Sequence, residues 1–345
     1  MSEFRRDPFR GRWAIVASGR AARPNEYASR PSPDTSAAEC PFCEGHERNT
    51  PPETSAVRPE GSPPDSPGWS VRAIPNRFPT VSAEAASGTP SRGTPFESEA
   101  AFGIHEVIVE SPTHAPDLPY LSAKHLRTLF RFFRDRVRAL DARPGLENVL
   151  LFENRGAESG GTLPHPHAQL VGTTRVPPRI EEERVAFRDE GRPDPAECRL
   201  ESVVRAEARA AERVLAQDAR YTAFAPFASE HPFEVWVVPS RHAPSYGAAT
   251  DDEVDELARL LPRILRALDA VRPGASYNWF LHGERPGTPE ANRFHWHLEI
   301  VPRLVRADGY EIGSGFLVNP VAPEVAAEEL RSRMSDDLGT TVQQS

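Results

Sequence analysis

The sequence predicts an α+β fold made of two fused halves, because the same order of elements occurs twice along its 345 residues. In each copy a strand-like segment, a turn with proline and histidine, a helix-like run and a second strand-like segment precede a His-X-His tripeptide. The spacing from His114 to His167 nearly equals the spacing from His242 to His297. A shared order with nearly equal spacing indicates two copies of one strand–helix–strand unit.

The first half contains the elements that lead to the first tripeptide. Its strand-like segments are short and apolar, and its helix-like run has apolar residues at the spacing of an amphipathic helix. The predicted elements are a strand at 12–16, a strand and turn at 72–79, a strand at 105–109, a helix at 122–140 and a strand at 149–152. Residues 50–68 and 84–98 are rich in proline, serine and glycine, which predicts loops or mobile insertions.

The charged run at 179–214 joins the halves and is predicted to be a loop followed by a helix from about Leu200. Its three successive glutamates, at 181–183, are typical of a solvated helix start. The second half continues with strands at 233–238 and 277–280, a helix at 254–268 and a surface helix at 322–338. We therefore assign residues 1–180 to the first half and residues 200–338 to the second.

Composition and charge argue against several classes of protein. The net charge of −9 argues against a main partner that is nucleic acid, since such proteins present a basic surface. Residues 1–20 lack the apolar core of a signal peptide, and no window approaches the roughly eighteen apolar residues of a membrane span. We expect a soluble cytoplasmic enzyme that binds neither nucleic acid nor membranes.

The first tripeptide, His-Pro-His at 165–167, predicts nucleophilic chemistry on a phosphate. Alternate side chains of a strand share a face, so its two histidines and Gln169 are expected to lie together. Gly160 and Gly161 precede them, and exposed N–H groups of a glycine turn suit an anion such as phosphate. A largely neutral imidazole beside that turn can attack phosphorus. An isolated His-X-His would equally fit an ordinary strand, but a second one occurs at 295–297.

The pair Cys40 and Cys43 predicts half of a zinc site. The chain has three cysteines, too few for a disulfide framework, and structural zinc takes four sulfur or nitrogen ligands. The two remaining ligands would be imidazoles, and the candidates are His46, His105, His114, His165 and His231.

Three further histidines, His282, His295 and His297, indicate a second site in the second half. With one carboxylate they would complete a site for zinc or iron. The alternative is a hydrogen-bonded cluster of histidines without a metal.

Four motifs carry a resemblance to a known family. They are Asp7-Pro8-Phe9 with Trp13-Ala14-Ile15-Val16-Ala17 and Arg20-Ala21-Ala22-Arg23-Pro24, then Cys40-Pro41-Phe42-Cys43, then Phe152-Glu153-Asn154-Arg155-Gly156 with His165-Pro166-His167-Ala168-Gln169, and finally Phe294-His295-Trp296-His297-Leu298-Glu299. Over almost its whole length the chain resembles the galactose-1-phosphate uridylyltransferases of the histidine-triad superfamily. The resemblance implies two fused histidine-triad-like halves, a mostly antiparallel sheet flanked by helices, and a homodimer with composite active sites.

The resemblance also implies roles for individual residues. His167 matches the nucleophile that forms a nucleotidyl-histidine at the α-phosphorus, and Gln169 matches the residue that hydrogen-bonds the phosphate oxygens. The matching substrate positions are Asn154, Gly160, Gly161 and Thr162 at the phosphate turn, Asn76 at the nucleoside, and Arg20 and Arg23 near the phosphates. The zinc ligands match Cys40, Cys43, His114 and His165, and a second zinc or iron site matches Glu183, His282, His295 and His297.

One segment departs from the uridylyltransferases, which carry a lysine- and phenylalanine-containing stretch and then tyrosine, glutamate and glutamine contacts to the sugar phosphate. Residues 309–320 contain no lysine. This segment and residues 105–112 are more similar to the related ADP-glucose phosphorylases. Since Gly313-Ser314-Gly315 provides only backbone and one hydroxyl, we expect a preference for galactose 1-phosphate below about a thousandfold over other acceptors.

Four functions can be weighed for this site. The first hypothesis is transfer of UMP from UDP-glucose to a hexose 1-phosphate, and the second is adenylyl transfer, to phosphate or another acceptor, on the same residues. A hydrolase of dinucleoside polyphosphates would use a full histidine triad, and Gln169 argues against it. A non-catalytic nucleotide- or zinc-binding module would not need an intact His-Pro-His beside two glycines.

Overall fold

The computed structural model describes residues 2–17, 37–84, 98–188 and 198–339. Its strands are β1 (Ser2–Arg6), β2 (Trp13–Ala17), β3 (Ser55–Val57), β4 (Val71–Pro75), β5 (Gly103–Val109), β6 (Asn148–Arg155), β7 (His167–Thr173), β8 (Val214–Gln217), β9 (Tyr221–Phe224), β10 (Val235–Pro239), β11 (Tyr277–His282), β12 (His297–Pro302) and β13 (Val318–Asn319). Its α-helices are α1 (Ala123–Asp141), α2 (Pro178–Arg188), α3 (Arg199–Ala210), α4 (Asp251–Val271), α5 (Gly309–Ser314) and α6 (Pro323–Gly339). Apart from its two end residues, the predicted insertion at 84–98 lies outside the described residues.

Ten strands form one sheet in the order β3-β4-β5-β7-β6-β11-β12-β10-β9-β8. Every neighbouring pair in it is antiparallel. From its edge to the centre of the sheet the first half has the order β3-β4-β5-β7-β6, and the second half has the equivalent order β8-β9-β10-β12-β11. The halves meet where β6 pairs with β11. The predicted α+β fold with two repeated halves and a mostly antiparallel sheet is confirmed.

Helices α1 and α4 cover one face of this sheet. Ser122 caps α1 by accepting a hydrogen bond from a backbone N–H, and Thr250 forms a capping box with Glu253 at the start of α4. The buried faces of both helices share one core with alternate strand residues such as Ala168 and Leu170. Because neighbouring strand residues point to opposite faces, the residues on either side of Ala168 face away from this core.

Helices α2 and α3 cover the opposite face of the second half. Ile180 and Phe187, two helical turns apart on α2, form a second apolar cluster with Leu200, Phe9 and Trp236. The sequence predicts a loop for the first part of this run, but burial of that apolar face makes it a helix.

A small second sheet contains β1, β2 and β13, with β1 antiparallel and β13 parallel to β2. On it Phe4 lies 5.6 Å from Phe316 and 6.5 Å from Trp13 between ring centroids. Phe4 is 59% exposed and Trp13 48% exposed. We call Phe4, Trp13 and Phe316 the aromatic patch.

The C-terminal helix α6 closely matches the predicted helix at 322–338. Its residues Ala326, Ala327 and Leu330 enter the main core beside α4. Within the described ranges, no helix combines the length and the hydrophobicity that crossing a membrane would require.

Candidate active site and metal groups

His167 is the first residue of β7 and follows the loop that leaves β6. Its Nδ1 lies 2.7 Å from the carbonyl oxygen of His165, which can only accept, so Nδ1 carries the ring proton. Nε2 of the neutral ring then holds the lone pair. Burial lowers the pKa of His167, and the hydrogen bond to His165 opposes that effect. The ring is therefore held in the tautomer that a nucleophile attacking through Nε2 requires.

Gln169, on the same face as His167, is held in place by His105. The backbone N–H of Thr80 donates to Nδ1 of His105 at 3.0 Å, so Nε2 of His105 carries the proton. That nitrogen donates to Oε1 of Gln169 at 2.9 Å, which leaves the NH₂ group of Gln169 to face a ligand. Asn76 joins the network, since its Nδ2 lies 3.4 Å from the same Oε1. The structure thus brings Asn76 and Gln169 together through His105, a residue that the sequence marked only as a zinc candidate.

The glycines of the predicted phosphate turn lie on the loop between β6 and β7. Gly160 has φ of +88°, a left-handed conformation that glycine adopts without strain. A Cβ atom at Gly161 would lie 2.8 Å from the carbonyl oxygen of Gly156, so this close approach requires glycine. Nδ2 of Asn154 lies 3.9 Å from the place of a Cβ at Gly160, and Thr162 follows the turn on the surface. Four of the predicted substrate residues therefore lie in this turn or beside it.

The predicted contacts Arg20 and Arg23 lie outside the described residues.

Cys40, Cys43, His114 and His165 offer four ligand atoms that lie within 4.8 Å of one another. Sγ of Cys40 lies 3.5 Å from Nδ1 of His165. Sγ of Cys43 lies 3.6 Å from Nδ1 of His165 and 3.6 Å from Nδ1 of His114. Tetrahedral zinc with ordinary Zn–S and Zn–N bonds holds such atoms about 3.6 Å apart. The carbonyl of Ser111 accepts from Nε2 of His165 at 2.8 Å and so leaves Nδ1 for the metal, and the group fits zinc.

The other candidate ligands are not part of this group. Nδ1 of His46 lies 2.7 Å from the backbone oxygen of Cys40, and His105 holds Gln169. His231 is half-buried in the second half, away from the two cysteines, and desolvation lowers its pKa to about 4.

The second metal group that the sequence predicts is divided between two places. Glu183, His282 and His297 lie together with Glu299, but His295 does not join them. The two histidines of the second tripeptide meet different elements. His297 begins β12 and its ring lies 5.3 Å from that of His282, whereas Nε2 of His295 is held 2.9 Å from the carbonyl of Pro239. The predicted set is therefore corrected by removing His295.

Arg10 contributes a guanidinium to the group of Glu183, His282, His297 and Glu299, which we call the carboxylate group. Its Nη1 lies 3.2 Å from Glu299 and 3.9 Å from Glu183. Glu183 also accepts from Nδ1 of His282 at 2.8 Å.

The pKa shifts of this group follow from its charges. Burial alone would lower the pKa of His297, but Glu183 and Glu299 raise it to about 9. Burial would raise the pKa of Glu183, but His282 and His297 lower it to about 2. Two buried carboxylates thus face the guanidinium of Arg10 and the imidazole of His297. Nε2 of His297 and one oxygen of each glutamate are buried without a hydrogen-bond partner, so the group also offers ligand atoms to a metal ion.

His295 belongs to a third group, with Cys198, Glu201 and His242. Sγ of Cys198 lies 3.7 Å from Nδ1 of His295, and Oε1 of Glu201 lies 3.1 Å from Nδ1 of His242. In chain order its members correspond to Cys40, Cys43, His114 and His165 of the first half. No sequence motif singles out Cys198 and Glu201 as partners of His295, although the repeat pairs His114 with His242.

The two tripeptides differ in their access to ligands. His297 is fully buried, edge-on to Phe9 and 5.4 Å from the ring of Trp236, under the cover that α2 and α3 provide. His167 retains 8% exposure, and Gln169 beside it is half-buried. The imidazole of His167 is therefore more accessible than either imidazole of the second tripeptide.

Comparisons with known proteins agree with this geometry. Residues 1–177 match the family model described as galactose-1-phosphate uridyl transferase, N-terminal domain. The ADP-glucose phosphorylase of Arabidopsis thaliana is 30% identical over 339 residues, which cover 95% of this chain and 92% of that protein. The galactose-1-phosphate uridylyltransferase of Thermotoga maritima is 28% identical over 339 residues, which cover 96% of this chain and 98% of that protein.

Solved structures give the same relationship. The crystal structure of the ADP-glucose phosphorylase from Arabidopsis thaliana with bound ADP-glucose matches with a TM-score of 0.81 and 28% identity, and covers 96% of this chain and 99% of that one. A uridylyltransferase structure matches with a TM-score of 0.73 and 26% identity, and covers 98% of this chain and 100% of that one. The ADP-glucose phosphorylase and the uridylyltransferase therefore both align with nearly the whole of this chain.

Proposed function

The chain belongs to the galactose-1-phosphate uridyl transferase family, and from this premise we propose that it transfers UMP from UDP-glucose to a hexose 1-phosphate, galactose 1-phosphate, through His167. The observation that carries the proposal is the state of His167. Its Nδ1 is bonded to a backbone carbonyl, so Nε2 holds the lone pair beside Gln169 and after a glycine turn. The corresponding imidazole of the second half is fully buried in an ion-pair network.

The reaction consists of two displacements at one phosphorus. Nε2 of His167 attacks the α-phosphorus of UDP-glucose, a P–N bond forms, and the bond from this phosphorus to the bridging oxygen breaks, so glucose 1-phosphate leaves. A phosphate oxygen of galactose 1-phosphate then attacks the same phosphorus. The P–N bond breaks, which gives UDP-galactose and restores the neutral imidazole. The carbonyl of His165 keeps the proton on Nδ1 and stabilises the charge of the nucleotidylated ring.

The predicted substrate contacts have matching tasks. The NH₂ groups of Gln169 and Asn154 can hydrogen-bond the phosphate oxygens as their charge grows. The N–H groups of residues 159–161 already donate to carbonyls within the turn, so Gly160 and Gly161 contribute close approach of the backbone to the phosphate. Asn76 lies next to Gln169 and is placed to contact the nucleoside.

Adenylyl transfer is the second candidate. It is favoured by the Arabidopsis relative, an ADP-glucose phosphorylase that is 30% identical and has a solved structure with bound ADP-glucose. The same histidine would then take AMP from ADP-glucose and pass it to inorganic phosphate.

Zinc is proposed as a structural ion at Cys40, Cys43, His114 and His165. Because His165 precedes His167 by two residues, an ion there would fix the end of the loop that leads into β7 and the nucleophile. Two thiols that must stay reduced suit the cytoplasm.

We also propose a homodimer with composite active sites. The aromatic patch supports the dimer, because Phe4 and Trp13 are large aromatic side chains exposed on the small sheet. Exposed aromatic side chains of this kind are enriched in protein interfaces.

One experiment tests the reaction and separates the donors. The protein is mixed with UDP-glucose or ADP-glucose labelled in the α-phosphate and then denatured, and label that is acid-labile and base-stable is expected with the true donor. The variant His167→Ala should carry none, and turnover with galactose 1-phosphate or inorganic phosphate should follow ping-pong kinetics. Full labelling of His167→Ala, or release of nucleotide by water alone, would overturn the proposal.

A further inference from the structure

The side chain of Asn278 connects the second half of the sheet to the phosphate turn of the first half. Asn278 on β11 lies directly opposite Asn154 on β6, where the two halves meet. Its Nδ2 donates to Oδ1 of Asn154 at 2.7 Å and to the backbone carbonyl of Ser159, inside the turn, at 2.9 Å. One amide of the second half thus binds both the side chain and the backbone of the turn.

Other contacts from the second half support the same turn. Arg306 forms an ion pair with Glu158 at 2.8 Å. A Cβ at Gly156 would collide with Ser276, two residues before Asn278, so the start of the turn lies directly against the backbone of the second half. Asn278 is therefore part of a broader support beneath the turn.

The carbonyl of Ser159 fixes the orientation of both amides. A carbonyl oxygen only accepts, so the atom of Asn278 that faces it must be Nδ2. The other hydrogen of that nitrogen points at Asn154, whose facing atom must then be Oδ1. Asn154 consequently directs its own Nδ2 toward Gly160 and offers N–H groups to a ligand in the turn.

We propose that Asn278 is a positioning residue for nucleotidyl transfer, which acts by holding the amide of Asn154 so that its N–H groups face the α-phosphate. The inference rests on the proposed function. Without Asn278 the Asn154 amide can rotate, and its oxygen would then oppose the charge that develops on the phosphate oxygens. Donors held in advance at such a position contribute more than donors that must reorient during the reaction.

The test measures the rate at which α-labelled donor nucleotidylates His167, as a function of donor concentration. Loss of one preorganised hydrogen-bond donor slows such steps by about a hundred- to a thousandfold. In Asn278→Ala the N–H groups of Asn154 are loosened but not lost, so labelling at a saturating concentration of the nucleotide sugar should slow roughly ten- to a hundredfold. The concentration of nucleotide sugar that gives half-saturation should change less than about threefold, because the hydrogen bond from Asn154 to the phosphate strengthens only as charge develops in the transition state. The isosteric variant Asn278→Asp should be at least as slow, since a carboxylate draws Nδ2 of Asn154 to itself and repels the carbonyl of Ser159.

The matched control is Asn148→Ala, at the far end of β6, the strand that carries Asn154. Nδ2 of Asn148 donates to the carbonyl of Gly283 in the second half at 3.2 Å, so this variant removes a similar link between the halves away from the turn. It should label at the wild-type rate. Melting temperatures of both alanine variants then separate positioning from stability.

A double-variant cycle tests whether Asn278 acts through Asn154. In an Asn154→Ala background, Asn278→Ala should cost little more, because the amide that it positions is gone. An equal cost in both backgrounds, or wild-type labelling by Asn278→Ala or by a folded Asn278→Asp, would overturn the inference and leave the proposed function intact. Absence of label on the wild-type protein with either donor would refute the proposed function and this inference with it.

Discussion

Replacing Arg10 by methionine should destabilise the protein by about 3–5 kcal/mol at neutral pH, because it removes the buried guanidinium that balances two buried carboxylates. The guanidinium is 2% exposed and lies 2.9 Å from Asp7, 3.2 Å from Glu299 and 3.9 Å from Glu183. Both glutamates have no exposed side-chain surface, so water cannot take over the role of Arg10. Methionine keeps much of the volume of the side chain and its contact with Trp236 but removes the charge.

Chemical denaturation of the wild type and the variant gives the free energy of unfolding. The matched control is Arg12→Met, two residues along, because Arg12 is 36% exposed and pairs with Glu230 at 3.1 Å. Glu230 is itself buried but also faces Arg179 at 3.6 Å, so it keeps a cationic partner and the loss of Arg12 should cost only about 1 kcal/mol. The comparison therefore separates the cost of removing a buried charge from the cost of removing any arginine in this segment.

A loss below about 1 kcal/mol for Arg10→Met, equal to that of Arg12→Met, would refute the reasoning. It would mean that the carboxylate group finds its positive charge elsewhere. A metal found with the purified wild-type protein and lost in Glu183→Gln would identify that charge as an ion.

Three further outcomes are expected. Cys43→Ser should lower zinc content and melting temperature together, as measured by metal analysis and calorimetry, and full zinc occupancy in a Cys40→Ser, Cys43→Ser protein would contradict the assignment. Gly161→Ala should slow labelling of His167 at least about tenfold, because the new Cβ forces the turn to move. This Cβ would lie 2.8 Å from the backbone oxygen of Gly156 and 2.9 Å from that of Asn154. A wild-type rate would show that the turn does not hold the phosphate. Burial raises the pKa of Asp141 to about 6, so the folded state binds the proton more tightly than the unfolded chain and stability falls as pH rises from about 4 to about 6. Asp141→Asn should therefore match the wild type at pH 4 and exceed it by about 1–3 kcal/mol at pH 7 in denaturant unfolding, and an equal difference at both pH values would contradict this.

The fold could be predicted from the sequence because its two halves repeat the same pattern. Apolar strands and amphipathic helices are local signals, and their recurrence around the two tripeptides fixed the number of halves. The helix α2 could not be predicted in this way. Its apolar positions Ile180 and Phe187 become a buried face only because Phe9 from the N-terminus and Phe294 from the second half pack against them.

The candidate site was predictable to different degrees in its two halves. The zinc-type group needed only two cysteines and a resemblance to place His114 and His165 beside them. The second group failed at His295, because the sequence does not show that this residue stands outside β12 and meets different elements from His297. Arg10 could not be assigned to Glu299 either, since nothing local connects the N-terminal turn to a strand near the end of the chain.

The central strand pair affects how this protein is made. A ribosome completes β6 long before it reaches β11, so the first half emerges with β6 as an open sheet edge. That edge contains Val149, Leu150, Leu151 and Phe152, and an unpaired apolar edge is a template for aggregation. At ordinary rates of synthesis the exposure lasts on the order of ten seconds. Yield in the cell should therefore depend on the speed of translation between β6 and β11, and on chaperones that bind the emerging edge, more than on the stability of the finished protein.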